Sequence, residues 1–89
     1  MYTLLIADDE ELECCGITNV IRECFPQITV IGSFHNGAEL IRAAREHHPD
    51  IIIADINMPG MNGLEAVEVL RQEKINSRLI INTAYSYFE

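Results

Sequence analysis

Four short apolar runs alternate with longer amphipathic segments along this chain. The runs are rich in Ile, Val and Leu, which is typical of buried strands, whereas the segments between them repeat apolar residues at helical spacing. A chain with the order βαβαβαβ requires a parallel sheet with right-handed crossovers. We therefore predict an α/β fold, a doubly wound parallel sheet with strand order 2-1-3-4. The predicted strands are 3–7, 28–33, 50–55 and 78–82.

Asparagine and proline mark the ends of the predicted helices. The first helix should span 10–24. Asn36 and Asn62 each stand three residues before a glutamate, which is the spacing of a capping box, so they predict the starts of the second and third helices. Pro49 should end the second helix. The residues predicted to face the core are Ile17, Val20, Ile21 and Cys24 in the first helix, Leu40, Ile41 and Ala44 in the second, and Leu64, Val67 and Leu70 in the third.

Size and charge limit the classes of function. With 89 residues and no linker, the chain is predicted to be one small domain. Its net charge of −8 does not suit binding to nucleic-acid phosphates. No apolar stretch approaches the ~20 residues of a membrane span, and the start lacks a basic signal-peptide region, so we expect a cytoplasmic protein. The three cysteines lack metal-ligand spacing and fit a reducing compartment.

Acidic residues follow two of the predicted strands. Asp55 ends the apolar run of 51–54 and enters a Pro/Gly-containing loop, while Asp8 and Asp9 follow the first strand. Strands one and three are neighbours in the order 2-1-3-4, and open α/β sheets bind ligands at the carboxyl ends of such strands. Three carboxylates in one pocket repel each other unless a cation neutralises them. The sequence therefore predicts a site for Mg²⁺, which prefers carboxylate and phosphate oxygens.

Thr83 adds a hydroxyl at the end of the fourth strand, on the same predicted rim. A hydroxyl and nearby backbone amides can donate hydrogen bonds to an anion. A carboxylate can attack phosphorus to form an aspartyl phosphate, and catalysis is then mostly positioning and charge neutralisation. Metal, carboxylate and hydroxyl together predict a phosphorylation site.

These residues resemble the receiver domain of two-component response regulators, a flavodoxin-like fold of the CheY type. The resemblance rests on the segment 5–10 with Asp8 and Asp9, on Asp55 followed by Met58-Pro59-Gly60 and Gly63, and on Thr83-Ala84. It implies that residues 1–89 form one receiver domain.

The resemblance also implies roles for individual residues. Asp55 would be the phosphoacceptor for a partner sensor histidine kinase, and Thr83 would be the switch hydroxyl. Asp9 would bind Mg²⁺ directly, Asp8 largely through water, and Asn57 through its backbone carbonyl. Phosphorylation would control an output domain outside these residues, with transcription as the expected output.

The family also has a fifth strand ending in a lysine, an aromatic switch residue and a fifth helix, for which these residues offer no counterpart. The only lysine is Lys74, at the far end of the third helix. We therefore interpret the chain as a receiver domain that is incomplete at its C-terminus, and we expect self-association through the exposed edge of the fourth strand. The segment 80–89 is similar to receivers fused to AraC-type DNA-binding domains.

Two other functions remain open at this stage. One is an interaction module that keeps the fold without being phosphorylated. The other is an aspartyl-phosphate phosphohydrolase resembling the haloacid dehalogenase family, which requires a second aspartate two residues after the nucleophile, where this chain has Asn57. We predict no enzymatic activity, and we interpret His35, His47 and His48 as an exposed loop histidine and two helix-end histidines.

Overall fold

The computed structural model describes residues 1–56, 58 and 60–82, with the backbone alone at 81 and 82. Strands and helices alternate through these residues. The elements are β1 Tyr2–Ala7, α1 Glu11–Cys24, β2 Ile28–Phe34, α2 Gly37–His47, β3 Ile51–Asp55, α3 Gly63–Gln72 and β4 Arg78–Asn82. Each predicted element is present, and the boundaries differ from the prediction by one residue or so.

The four strands form one parallel sheet in the order β2-β1-β3-β4, which confirms the predicted topology. Alternate residues of the central strands point to opposite faces. Leu5 and Ile52 join a core cluster with residues of α2 and α3 on one face, whereas Leu4 and Ile6 pack with Cys14 of α1 on the other. The central strands are thus covered on both sides, as expected for a parallel sheet.

Strands β1 and β2 contain one irregularity. Leu4 pairs with Val30, but Leu5 pairs with Gly32, so Ile31 is an extra residue on β2. Such a bulge moves every later residue of the longer strand forward by one position. As a result β2 ends with Phe34 opposite Ala7, and Phe34 O accepts a hydrogen bond from Asp8 N at 2.9 Å.

Both predicted asparagine caps are present, with one difference. Asn62 forms a complete capping box, in which its side chain accepts from Glu65 N and the Glu65 carboxylate accepts from Asn62 N. Asn36 likewise accepts from Glu39 N at 2.9 Å, but the Glu39 carboxylate accepts from His35 N at 3.3 Å. The first turn of α2 therefore also holds His35, through the Glu39 carboxylate.

Three predictions about buried faces are wrong. Val20, Cys24 and Leu64 are exposed, and Cys14 is the buried cysteine. The stripe of α1 that meets the sheet runs through Cys14, Ile17 and Ile21, and positions 20 and 24 lie to one side of it. In α3 the buried residues are Gly63, Ala66, Val67 and Leu70, whose common face lies about a quarter turn away from Leu64.

The first residues of α2 and α3 are glycines that allow close backbone approach. A Cβ atom on Gly63 would lie 2.5 Å from Asp55 O, and one on Gly37 would lie 2.6 Å from Met61 O. Real Cβ atoms do not come this close to a carbonyl oxygen. The absence of a side chain at these positions therefore sets how tightly α3 closes on the end of β3, and how tightly α2 closes on the loop after it.

None of the described helices combines the length and the apolar character needed to cross a membrane.

We predict that Gly63→Ala destabilises the fold by about 1–3 kcal/mol, because its methyl group displaces the backbone at Asp55. The matched control is Gly16→Ala in α1, where an added Cβ meets nothing within 4 Å. That change should stabilise the protein by roughly 0.5–1 kcal/mol, since alanine favours a helix interior. Urea unfolding measures both free energies, and equal effects of the two substitutions would contradict the close-approach argument.

Candidate metal centre at the carboxyl edge of the sheet

Parallel pairing of β1 and β3 brings three carboxylates together. Ala7 lies opposite Ala54, so Asp8, which follows β1, and Asp55, the last residue of β3, lie side by side. One carboxylate oxygen from each of Asp8, Asp9 and Asp55 lies within 4.8 Å of the other two. The structure thus groups the three acidic residues singled out in the sequence. Their roles as metal ligands and phosphoacceptor stay predictions.

The three carboxylates differ in exposure. Asp8 and Asp55 are 3% and 7% exposed, whereas Asp9 is exposed to solvent. Because buried carboxylates are rare unless they are paired or bind metals, the cluster is more than an acidic surface patch. Its open side is the side of Asp9.

The backbone of Asp8 is held at each of its polar atoms. Asp8 N donates to Phe34 O, and the carbonyl oxygen of Asp8 accepts from His35 Nδ1 at 3.0 Å and from Cys14 Sγ at 3.6 Å. The side chain also has a partner, because its Oδ1 accepts from Glu10 N at 3.0 Å. Asp8 is therefore positioned by β2, by the residue after β2 and by the start of α1.

The surroundings of Asp8 make its ionisation less favourable than that of a free aspartate. Burial raises the pKa of the Asp8 carboxyl above its usual value, and the hydrogen bond from Glu10 N opposes this shift. The negative charges of Asp55, Glu13 and Asp9 raise the Asp8 pKa further. A bound divalent cation would remove this repulsion, and hard carboxylate oxygens are the ligands that Mg²⁺ prefers. The described donor set therefore fits Mg²⁺.

Cys14 lies under this cluster as a protonated thiol. Burial raises the Cys14 pKa, and the charge of Asp8 raises it further. A protonated thiol can donate its hydrogen to the Asp8 carbonyl, as the 3.6 Å contact requires. The side chain is a packing and hydrogen-bonding residue here, not a nucleophile.

The loop after β3 is tight at its described positions. Met58 is buried, its N donates to Ile56 O at 3.2 Å, and Gly60 has a left-handed φ of 74°. The predicted ligand Asn57 and the predicted switch residue Thr83 lie outside the described residues. The contributions of the Asn57 carbonyl and the Thr83 hydroxyl accordingly stay predictions.

His35 lies beside Asp8, which the sequence does not predict. Its side chain is 47% exposed, in agreement with the predicted exposed loop histidine, yet its ring contacts the backbone of Asp8. The available signal was its position directly after β2, at the same edge of the sheet as Asp8 and Asp55. The bulge in β2, which decides which residue reaches Asp8, leaves no clear mark in the sequence.

A doubly wound parallel sheet with an acidic cluster where β1 and β3 end defines a domain of the CheY-like receiver class. The chain belongs to the response regulator receiver domain family, whose sequence model matches residues 4–88.

Full-length relatives extend the match to named proteins. The chain is 37% identical over 87 residues to the nitrate/nitrite response regulator protein NarL of Escherichia coli strain K12, a match that covers 98% of this chain and 40% of NarL. It is 41% identical over 86 residues to the transcriptional regulatory protein YdfI of Bacillus subtilis, covering 97% of this chain and 39% of YdfI. The chain thus spans about 40% of the length of these relatives.

A solved structure supports the same fold. The crystal structure of a DNA-binding response regulator of the LuxR family from Staphylococcus aureus superposes with a TM-score of 0.89 at 28% identity, covering 98% of this chain and 72% of that one. None of these names tests the predicted link to AraC-type proteins, which stays a prediction.

We predict that Asp8→Asn makes the metal-free protein more stable at neutral pH. A carboxyl group whose folded pKa is raised contributes stability that is fully present below its unfolded pKa of about 3.9 and is lost as the pH rises through the folded pKa. The amide keeps an acceptor for Glu10 N but does not ionise. Urea unfolding in EDTA, measured from about pH 3.9 up to neutral pH, should show a smaller loss of stability with rising pH for Asp8→Asn than for the wild type.

With Mg²⁺ added, the wild type should become more stable than Asp8→Asn, because the wild type gains stability from metal binding and the variant gains less. Glu68→Gln, on the exposed face of α3, controls for the loss of one negative charge away from the cluster. The cluster argument fails if Asp8→Asn and Glu68→Gln have the same effects with and without Mg²⁺.

Proposed function

We propose that this receiver domain accepts a phosphoryl group on Asp55 from a phosphohistidine of a sensor histidine kinase, with Mg²⁺ bound by Asp8, Asp9 and Asp55. The observation that supports the proposal most directly is the grouping of these three carboxylates within 4.8 Å of one another at the sheet edge. Membership in the receiver family supports the type of reaction and of partner.

In the proposed reaction the Asp55 carboxylate attacks phosphorus, so that an O–P bond forms while the P–N bond to the donor imidazole breaks. The imidazole leaves with the electron pair of that bond. Mg²⁺, when bound, supplies the positive charge that offsets the repulsion between the carboxylate and the phosphoryl oxygens.

The residues of this chain contribute binding and orientation. The Asp8 and Asp9 carboxylates would hold the metal together with Asp55, and Asn57 would add its carbonyl oxygen. Gly63 lets the N-terminus of α3 approach the Asp55 backbone closely. The burial of Asp55 limits access of bulk water to the nucleophile. Thr83 would donate its hydroxyl hydrogen to the phosphoryl group and carry the conformational change to the segment after β4.

We propose that the phosphorylated domain regulates transcription through a separate output domain of a longer cytoplasmic protein. NarL is named as a response regulator and YdfI as a transcriptional regulator, and this chain matches the receiver-sized part of each. The chain itself would not bind DNA, since its net charge is −8. It would not act as an enzyme on other substrates.

We expect the chain to gain the mass of one phosphoryl group when it is incubated with acetyl phosphate and Mg²⁺, as measured by intact mass spectrometry. EDTA should prevent the gain, and Asp55→Asn should abolish it, because an amide is not a nucleophile towards phosphorus.

Asp50→Asn is the matched control. This carboxylate lies before the opposite end of β3, where it accepts hydrogen bonds from Thr3 N and Thr3 Oγ1. The Asp50→Asn substitution should leave phosphorylation of Asp55 unchanged. Label that persists in Asp55→Asn would disprove the assignment of the acceptor, and a wild-type chain that takes no label would favour the interaction-module alternative.

We further propose that the chain self-associates along β4. Among the described residues β4 pairs with β3 on one side only, and the Ile80 side chain is 52% exposed. A strand whose second edge is unpaired can add a strand from another chain.

Ile80→Lys should shift the protein towards the monomer in light scattering at high concentration, because a charged side chain opposes edge-to-edge pairing. Leu12→Lys is the control, since Leu12 is 85% exposed on α1 and lies away from the sheet edge. A wild type that stays monomeric at every concentration, or equal effects of the two substitutions, would refute association through β4.

A further inference from the structure

Both ring nitrogens of His35 make contacts next to the acidic cluster. Nδ1 lies 3.0 Å from the backbone oxygen of Asp8, and Nε2 lies 3.5 Å from a carboxylate oxygen of Glu11. A carbonyl oxygen can only accept a hydrogen bond, so Nδ1 carries the proton in the first contact. The contact with Glu11 becomes an ion pair only when Nε2 is protonated as well.

The backbone of His35 is also held. Its N–H donates to the Glu39 carboxylate at 3.3 Å, which explains why the capping box of α2 is not closed on Asn36. The residue before it, Phe34, pairs with Ala7 and accepts from Asp8 N. The His35 ring therefore approaches Asp8 from a backbone that is held at its own N–H and at the preceding residue.

The acceptor of the Nδ1 hydrogen bond belongs to the peptide group that joins Asp8 to Asp9. The torsion angles of the two bonds that flank this peptide set the directions of the Asp8 and Asp9 side chains relative to each other, because one side chain lies on either side of it. The hydrogen bond that Asp8 N donates to Phe34 O holds the peptide before Asp8, and the hydrogen bond that the Asp8 carbonyl accepts from His35 Nδ1 holds the peptide after it. Partners that orient metal ligands in this way commonly affect metal affinity.

We propose that His35 is a positioning residue for the metal centre, which acts by donating from Nδ1 to the Asp8 carbonyl and so holds the Asp8–Asp9 peptide in the orientation that binds Mg²⁺. The proposal rests on the proposed function, since it assumes that Asp8 and Asp9 hold the metal. His35 is not a ligand in this scheme. The cluster whose ligand atoms approach one another consists of the three aspartates, among the residues that the structure describes.

Three substitutions separate the positioning role from a general structural role. Asparagine places an amide nitrogen where histidine has Nδ1, so His35→Asn keeps a donor for the Asp8 carbonyl. Glutamine places its amide near the position of Nε2, so His35→Gln keeps only the contact with Glu11. His35→Leu removes both contacts. All three side chains are uncharged, so differences among them do not reflect charge.

The readout is the dissociation constant for Mg²⁺, measured by isothermal titration calorimetry on the whole chain. His35→Leu and His35→Gln should weaken binding about two- to tenfold, the effect of one intramolecular hydrogen bond. His35→Asn should bind like the wild type. Urea unfolding in EDTA reports the structural effect separately, and His35→Asn and His35→Gln should be similar in that measurement.

His47→Leu is the matched histidine control, because His47 lies in the last turn of α2 and contacts Glu46. Its Mg²⁺ affinity should equal that of the wild type. Asp9→Asn tests the assumption that Asp9 is one of the residues that hold the metal. A wild type that binds no Mg²⁺, or an Asp9→Asn variant that binds it unchanged, would refute the proposed metal centre itself.

The two failures are distinguishable. If the wild type binds Mg²⁺ and Asp9→Asn does not, but His35→Leu binds as tightly as the wild type, the metal centre stands and the positioning role of His35 is wrong. The role is equally wrong if His35→Asn loses as much affinity as His35→Leu, or if His35→Gln alone retains wild-type affinity.

Discussion

The repulsion among three carboxylates at the end of the β1–β3 pair is the constraint on which the site depends. Sheet pairing places Asp8 beside Asp55, and burial at 3% and 7% exposure keeps water from screening their charges. Burial is the main cause of the raised pKa of Asp8, and the negative charges of Asp55, Glu13 and Asp9 raise it further. A divalent cation bound by these carboxylates would reduce the repulsion between them, so metal affinity and the stability of the metal-free protein would be coupled.

The apolar framework makes that strain tolerable. Leu4, Leu5, Ile6 and Ile52 are almost fully buried on the two central strands, which fixes the strand ends and hence the carboxylates. Gly63 has no side chain, so the start of α3 can lie against the Asp55 backbone. Because these contacts belong to the backbone and the core, the backbone positions of Asp8 and Asp55 cannot separate without unpairing the sheet.

The central part of this architecture is predictable from the sequence because its signals are local. Runs such as 51–54 indicate buried strands, Asn62 with Glu65 indicates a capped helix, and the parallel topology follows from their order. The buried faces of α1 and α3 are less predictable. Apolar Val20 and Leu64 fit a helical stripe in the sequence, but the orientation of a helix on the sheet is decided by Cys14, Ile17 and Ile21 together with the small residues Gly63 and Ala66.

The neighbourhood of Asp8 shows why the rest could not be predicted. Had β2 paired with β1 in a single register, residue 33 would lie opposite Ala7 and Phe34 would lie beside Asp8. The extra residue Ile31 advances the strand by one, so that Phe34 closes the ladder and His35 is the residue that reaches the Asp8 carbonyl. The pairing of β1 with β3 thus sets the positions of Asp8 and Asp55. The bulge in β2 determines that His35 is the residue whose ring contacts the Asp8 carbonyl. In the proposed positioning role, a substitution at position 35 would change how the aspartates bind a cation while their number, burial and strand positions stay the same.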